Sequence, residues 1–182
     1  NTTASNNTAV GDGSLGANTT GGDNTAVGKD ALLVNTTAFN NTAIGRSALR
    51  LNTTGDNNVA LGLEALTANT VGDRSTALGS YALKSQNAGG DVTTGTNNTL
   101  IGGLAGDALT DADYNTALGY LALSADTLGS NSVAVGAFAL RDQNLTSATD
   151  SFNVAVGYNA GGDVTTGINN TLLGALAGDA LG

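Results

Sequence analysis

A five-residue motif, Asn-Thr-Ala-Val-Gly and close variants of it, recurs ten times along the chain at nearly constant spacing. The glycine that ends the copies stands at Gly11, Gly28, Gly45, Gly62, Gly79, Gly102, Gly119, Gly136, Gly157 and Gly174. Seven of the nine intervals between these glycines are 17 residues long, and the other two are 23 and 21 residues. Strict repetition of one short unit predicts a stack of equivalent coils along a single axis, in which the motif glycines have a structural role.

The repeat has the residue pattern of strands and turns. Seventeen residues are too few for the helix pairs of common helical repeats, and no segment carries a sustained helical apolar stripe. Within the motif, Thr and Val alternate with Asn and Ala, as in a strand, while the glycine and the later Asn-Thr-Thr-Gly groups are typical of turns. We therefore predict one all-β domain over residues 1–182, a parallel β-solenoid of about ten coils with two short strands per coil.

The repeated columns also predict what lies inside the solenoid. We expect one branched aliphatic residue from the motif and one later leucine to form a thin continuous core in each coil. The asparagine that stands four residues before each motif glycine has two interpretations. Its amide bonds with the identical amides above and below it in a ladder, or it occupies a turn corner.

Segment 131–140, "NSVAVGAFAL", resembles the S-V-A-I-G-x-x-A motif of YadA-like trimeric autotransporter adhesin heads. Segments 41–49, "NTAIGRSAL", and 115–123, "NTALGYLAL", are similar to the same motif, and Asn- and Thr-rich forms like these occur in phage tail fibres. The resemblance implies a left-handed β-roll whose chains associate as a homotrimer. It also implies an extracellular fibre on a cell surface, or a virion tail fibre, that attaches to a glycan or protein receptor.

Composition argues against several other classes of protein. The chain has 15 acidic and 6 basic residues, a net charge of -9, so it lacks the basic stripe of a nucleic-acid-binding protein. Its apolar runs are too short to span a membrane. With no histidine, no cysteine and one glutamate, Glu64, it lacks the usual parts of a catalytic site, and we predict neither enzyme activity nor a cofactor.

Two local motifs mimic ligand sites. Gly11, Gly13 and Gly16 match the glycine pattern of a dinucleotide-binding turn, but only Gly11 belongs to the repeat and no helix is expected after it. The aspartates of "DADYN" begin like a calcium loop, which then requires a glycine and a glutamate where Thr116 and Ala122 stand. An EF-hand is therefore rejected, and a weak surface calcium site remains a candidate at residues Asp107, Asp111 and Asp113.

The two longer intervals contain insertions, which in solenoids form loops on one face, often the binding face. The candidate binding residues in these loops are Lys84, Gln86, Asn87, Arg141, Gln143 and Asn144. Segment 87–109 also returns as segment 159–181 with three differences in 23 positions, which indicates growth by duplication, as in fibres.

Further hypotheses concern one row of asparagines and the two ends of the sequence. Asn18, Asn35 and Asn52 form a regular row of glycosylation sequons with paired threonines, which could carry sugars or lie against a repetitive surface such as ice. Neither end of the sequence resembles a polar cap, which favours a longer parent chain or head-to-tail stacking into a filament.

Overall fold

The computed structural model describes residues 3–85 and 96–179, which form a β-solenoid that contains no helix. Within these ranges the strands are β1 (Thr8–Val10), β2 (Thr25–Val27), β3 (Thr42–Ile44), β4 (Val59–Leu61), β5 (Thr76–Leu78), β6 (Thr99–Ile101), β7 (Thr116–Leu118), β8 (Gly129–Ser130), β9 (Val133–Val135), β10 (Thr149–Asp150), β11 (Val154–Val156) and β12 (Thr171–Leu173). In the part of the chain described, no helix is long and apolar enough to cross a membrane.

Ten of the strands stack into one parallel sheet, in the order β1-β2-β3-β4-β5-β6-β7-β9-β11-β12. Equivalent motif residues pair with one another, so that Ala26 lies opposite Ala43 and Ala43 lies opposite Ala60. Strands β8 and β10 pair only with each other, in a small second sheet. At a parallel-strand spacing of about 4.8 Å the ten-stranded sheet is roughly 45 Å long. The predicted parallel β-solenoid with a 17-residue repeat is confirmed.

The second strand that we expected in every coil is wrong for most of them. Among the described residues it occurs only as the two-residue strands β8 and β10. After the motif glycine the backbone turns through left-handed positions, such as Asp30 at a φ of 58° and Leu32 at 49°, which a strand cannot contain. The stack is still hydrogen-bonded there, since the Leu32 amide donates to the Ala48 carbonyl at 3.1 Å.

The motif glycine is a corner where successive coils approach closely. Gly28 has a φ of 132°, and a Cβ added to it would lie 2.5 Å from the carbonyl oxygen of Gly45 in the next coil. Both the backbone angle and the close approach therefore require glycine. The structural role predicted for this column is confirmed.

Alanine and leucine columns fill the interior. The central alanine of the strand, such as Ala26, and the leucine four residues after the motif glycine, such as Leu32, are fully buried. The aliphatic residue that ends the strand points outward instead, and Val10 and Ile44 are 57% and 37% exposed. The predicted alternation is confirmed, but our expectation that the aliphatic residue of the motif lies in the core is wrong.

The coil of β6 shows why alanine occupies the inward position of most other strands in the ten-stranded sheet. Here the strand centre is Leu100, and the turn position that usually holds a buried leucine is Gly106. A Cβ on Gly106 would collide with the Leu100 side chain and would lie 2.9 Å from Leu109 Cδ1. The strand centre and the turn together have room for one leucine, which either of them can supply.

The asparagines before the motif connect each coil to the backbone of the next. Asn24 Oδ1 accepts from the Asn41 amide at 3.0 Å, and Asn24 Nδ2 donates to the Ala38 carbonyl at 2.8 Å. The same pair of bonds recurs at Asn41, with Asn58 and Gly55 as partners. In these coils the column does not form the amide ladder that was one of its two interpretations, because its partners are main-chain groups.

An amide ladder does exist in a second column, the turn asparagines Asn18, Asn35, Asn52 and Asn69. The Nδ2 of each of the last three donates to the Oδ1 of the asparagine before it, at 2.8, 3.1 and 2.9 Å along the column. All four residues are buried. The hypothesis that Asn18, Asn35 and Asn52 carry sugars is therefore wrong, since their amides face the interior and are hydrogen-bonded there.

Candidate binding surfaces

One face of the ten-stranded sheet points away from the core, and we call it the outer sheet face. Each strand contributes to it the first and third residues of its three-residue segment. The first column is Thr8, Thr25, Thr42, Val59, Thr76, Thr99, Thr116, Val133, Val154 and Thr171, and the second is Val10, Val27, Ile44, Leu61, Leu78, Ile101, Leu118, Val135, Val156 and Leu173.

The outer sheet face is uncharged along its whole length, with threonine at seven positions of the first column and an aliphatic residue at every position of the second. None of its side chains is ionisable, although the chain carries 21 acidic and basic residues elsewhere. Large aliphatic side chains remain exposed on it, with Leu61 at 42%, Leu118 at 45% and Leu173 at 67%. A continuous column of exposed aliphatic side chains is typical of an interaction site, whereas isolated exposed apolar side chains are not.

The first predicted binding loop is only partly described. Lys84 Nζ pairs with Glu64 Oε2 at 3.2 Å and lies 4.9 Å from the centre of the Tyr81 ring. Gln86 and Asn87 lie outside the described residues. The role of Lys84 in ligand binding stays a prediction, and its ammonium group already has two intramolecular partners.

In the second predicted loop, Arg141 is anchored by acidic side chains. Its guanidinium contacts Asp142 at 2.6 Å and Asp163 at 3.3 Å. The hydrogen bond to Asp142 raises the pKa of Arg141, and the same bond lowers the pKa of Asp142. Asn144 is exposed, and its Oδ1 accepts from the Thr127 hydroxyl at 3.3 Å. Of these residues, only Asn144 has the exposure that the loop hypothesis requires.

The assignment of Gln143 to a binding loop is wrong, because its side chain is fully buried. Its Nε2 donates to Asp126 Oδ2 at 2.6 Å and to the Ser132 hydroxyl at 2.9 Å, and its Oε1 accepts from Asn153 Nδ2 at 2.7 Å. Gln143 stands seven residues after Gly136, the same distance that separates Asn18 from Gly11. Counting from the motif glycine places it in the column of the turn asparagines.

Asp126 belongs to the same interior column and is a fully buried carboxylate. Besides the Gln143 amide, its Oδ1 accepts from the Leu145 amide at 2.9 Å and from the Gly129 amide at 3.2 Å. These N–H donors satisfy the carboxylate in place of a cation. The buried Asp126 carboxylate therefore connects neighbouring coils and is not accessible to ligands.

The calcium candidates are not brought together. No group of three or more acidic side chains that could hold a metal ion occurs within residues 3–85 and 96–179. Asp113 Oδ1 accepts from the Thr96 amide at 2.7 Å, and burial raises the pKa of Asp107. Asp107, Asp111 and Asp113 therefore do not form the cluster that the predicted calcium site requires.

Sequence reasoning missed an aromatic cluster on the turns. The Tyr120 and Phe138 ring centres lie 5.6 Å apart and the Phe138 and Tyr158 centres lie 5.7 Å apart, both pairs nearly perpendicular. Tyr120 and Tyr158 are exposed. The signal was available, because all three follow the motif glycine by one or two residues in successive coils.

No protein-family model matches the chain, and comparisons with curated proteins and with solved structures found no significant match. The resemblance of segment 131–140 to YadA-like heads therefore stays a prediction. The outer sheet face and the turns after the motif glycine are the candidate sites that the structure itself presents.

Proposed function

We propose that this chain is a segment of an extracellular adhesive fibre, in which copies of the solenoid associate through the outer sheet face. In this proposal the assembled rod carries load and presents its turns to a receptor on a surface. The chain performs no chemistry of its own, and its partners are copies of itself and the receptor.

The observation that carries the proposal is the continuous uncharged face described above. Its second column supplies a valine, leucine or isoleucine at every coil, so a second solenoid lying alongside meets aliphatic side chains over the full length of the sheet. Removing such surface from water is favourable at roughly 25 cal/mol for each Å² buried. Because the contribution repeats at each coil, the free energy of side-by-side association becomes more favourable with every coil added.

Three copies around an axis are the arrangement that the motif resemblance implies. In a closed ring each outer sheet face meets its neighbours, and no apolar face remains to recruit further chains. The charged side chains and the aromatic cluster, which lie off this face, then stay exposed on the outside of the trimer. That arrangement assigns assembly and recognition to different parts of each coil.

The test is the oligomeric state of the purified chain and of charge variants of the face, measured by sedimentation equilibrium. We expect three chains per particle for the unmodified protein. A Leu61→Asp/Leu118→Asp variant should sediment as a monomer, because two carboxylates would lose their hydration at the interface. Both leucines are exposed in the single chain, so circular dichroism should show an unchanged fold.

The matched control is Val71→Asp/Ile168→Asp, which adds the same two charges at exposed aliphatic residues outside the sheet. It should leave the trimer intact. An unmodified chain that stays monomeric at tens of micromolar would overturn the proposal, as would equal dissociation by the control variant.

A further inference from the structure

A polar cavity of about 320 Å³ lies on the turns of three successive coils, away from the outer sheet face. Its lining residues are Asp30, Arg46, Ser47, Arg50, Glu64 and Thr67. The wall is held in place by the Thr67 hydroxyl, which donates to the Ser47 carbonyl at 2.8 Å, and by the Glu64 amide, which donates to the Arg46 carbonyl at 2.9 Å. Two arginines therefore project from one coil between acidic side chains of the coils on either side.

Arg46 and Arg50 differ from the other basic residues of the chain. The other four each have a side-chain partner, in the pairs Lys29–Asp12, Arg74–Asn97, Lys84–Glu64 and Arg141–Asp142. Across residues 3–85 and 96–179, neither Arg46 nor Arg50 forms an ion pair or a side-chain hydrogen bond. In a chain of net charge -9, two guanidinium groups without a carboxylate partner line the same cavity.

The chemistry of the cavity selects a class of ligand. A guanidinium group presents a planar fork of N–H donors that matches a carboxylate in two parallel hydrogen bonds. The carboxylates of Asp30 and Glu64 accept hydrogen bonds from hydroxyl groups, but they repel a second negative charge. The combination fits a ligand with one carboxylate and several hydroxyls better than it fits a phosphate or sulfate ester.

We propose that this cavity binds a carboxylated sugar, such as the uronic acid residues of an acidic polysaccharide. The ligand carboxylate pairs with Arg46 and Arg50, and its hydroxyls donate to Asp30 and Glu64. This inference rests on the adhesive function proposed above for its biological meaning, since it names the receptor class. The binding itself requires only the single coil stack.

The test is isothermal titration of the whole chain with a galacturonic acid oligosaccharide. The methyl ester of the same oligosaccharide is the neutral control ligand, and glucose 6-phosphate tests the phosphate alternative. We expect saturable binding of the acid. The ester should bind at least about tenfold more weakly, because it cannot form the charge-assisted pair of hydrogen bonds. The phosphate should bind no more tightly than the acid, because the cavity carboxylates repel its second negative charge.

Protein variants locate the site. Arg46→Gln/Arg50→Gln should weaken binding of the acid about tenfold or more. Arg74→Gln, which removes one charge from an arginine outside the cavity, should leave it unchanged, whereas Arg46→Gln and Arg50→Gln made singly should each weaken it. Circular dichroism of each variant verifies that the coils remain folded.

Absence of saturable binding, equal affinity for acid and ester, tighter binding of the phosphate, or equal loss in Arg74→Gln would each overturn the inference. Sedimentation of the same samples separates the two proposals. A trimer without sugar binding contradicts the cavity alone, and a monomer that binds the acid contradicts the assembly alone.

Discussion

At the scale of single residues, stability depends on how the narrow interior is filled, and the pair Leu100 and Gly106 tests this directly. Gly106→Ala adds a methyl group that collides with Leu100, so we expect a loss of about 1–3 kcal/mol in the free energy of unfolding. Leu100→Ala removes a buried side chain and should cost about 2–5 kcal/mol. In the double variant, the new methyl group occupies part of the space that Leu100 leaves, so the two losses should add to less than their sum.

Gly103→Ala is the control for an added methyl group, measured by urea unfolding. It lacks the left-handed backbone cost of alanine at Gly106, which has a φ of 56°, so the non-additivity of the cycle isolates the collision. A Cβ on Gly103 meets nothing closer than Tyr120 Cδ2 at 3.6 Å, an ordinary contact. The duplicated segment carries an alanine, Ala175, at the equivalent position. A Gly106→Ala variant as stable as this control, or strict additivity in the cycle, would show that the interior has room to spare.

At the scale of the structural element, the turn asparagines should act as one ladder. Asn52→Ala removes a rung that accepts from Asn69 and donates to Asn35 and to the Gly55 carbonyl. Asn35 Oδ1 and the Gly55 carbonyl each lose that hydrogen bond, whereas Asn69 Nδ2 keeps its bond to the Gly72 carbonyl. We expect the free energy of unfolding to fall by about 1–3 kcal/mol for each group left unsatisfied. Hydrogen exchange should also show faster opening of the two adjacent turns than of distant coils.

The exposed Asn144 supplies the control for the ladder. Asn144→Ala loses one long hydrogen bond, to Thr127, at the surface and should change stability by less than about 0.5 kcal/mol. If the two alanine variants were equally stable, the buried amides would contribute nothing beyond packing.

These elements also show how far the sequence predicts the fold and the candidate sites. The 17-residue spacing predicts the register of the stacked strands, and the alternation of side chains predicts that Thr25 and Val27 lie on the opposite face from Ala26. Both are periodic properties of the chain. The sequence could not show which side of the strand faces inward. Valine is more apolar than alanine and would be expected in the core, and only the limited space beside Leu32 excludes it. The leucines with a positive φ, such as Leu32, could not be predicted either. Asn or Gly at a position suggests a positive φ, whereas leucine does not.

The candidate sites divide along the same line. Gln143 was misplaced because the longer interval suggested a loop, while its distance from Gly136 already put it in a buried column. The cavity around Arg46 and Arg50 could not be predicted, because it depends on which carboxylates in neighbouring coils reach which cations. Such pairing is a matter of side-chain geometry across the stack, which repeat spacing does not specify.

At the scale of the whole molecule, each coil contacts chiefly its neighbours, as shown by amide bonds such as Leu32 to Ala48 and Leu49 to Ala65. Stability should therefore be close to a sum over coils and their interfaces. Deleting residues 46–62 removes one 17-residue period and leaves the next motif glycine at the normal spacing. The shortened chain should keep its fold, with a sheet about 4.8 Å shorter, measured by small-angle scattering and circular dichroism.

Deleting residues 46–65 instead brings Gly45 and Gly79 to an interval of 14 residues, shorter than any interval in the chain. A coil of that length cannot place its alanine, its leucine and both asparagine columns in register with the coils on either side. We expect this variant to unfold at a clearly lower urea concentration than the 17-residue deletion and to lose sheet signal. Equal stability of the two deletions would mean that the coils stack without a fixed register, contrary to the aligned pairing of Ala26, Ala43 and Ala60.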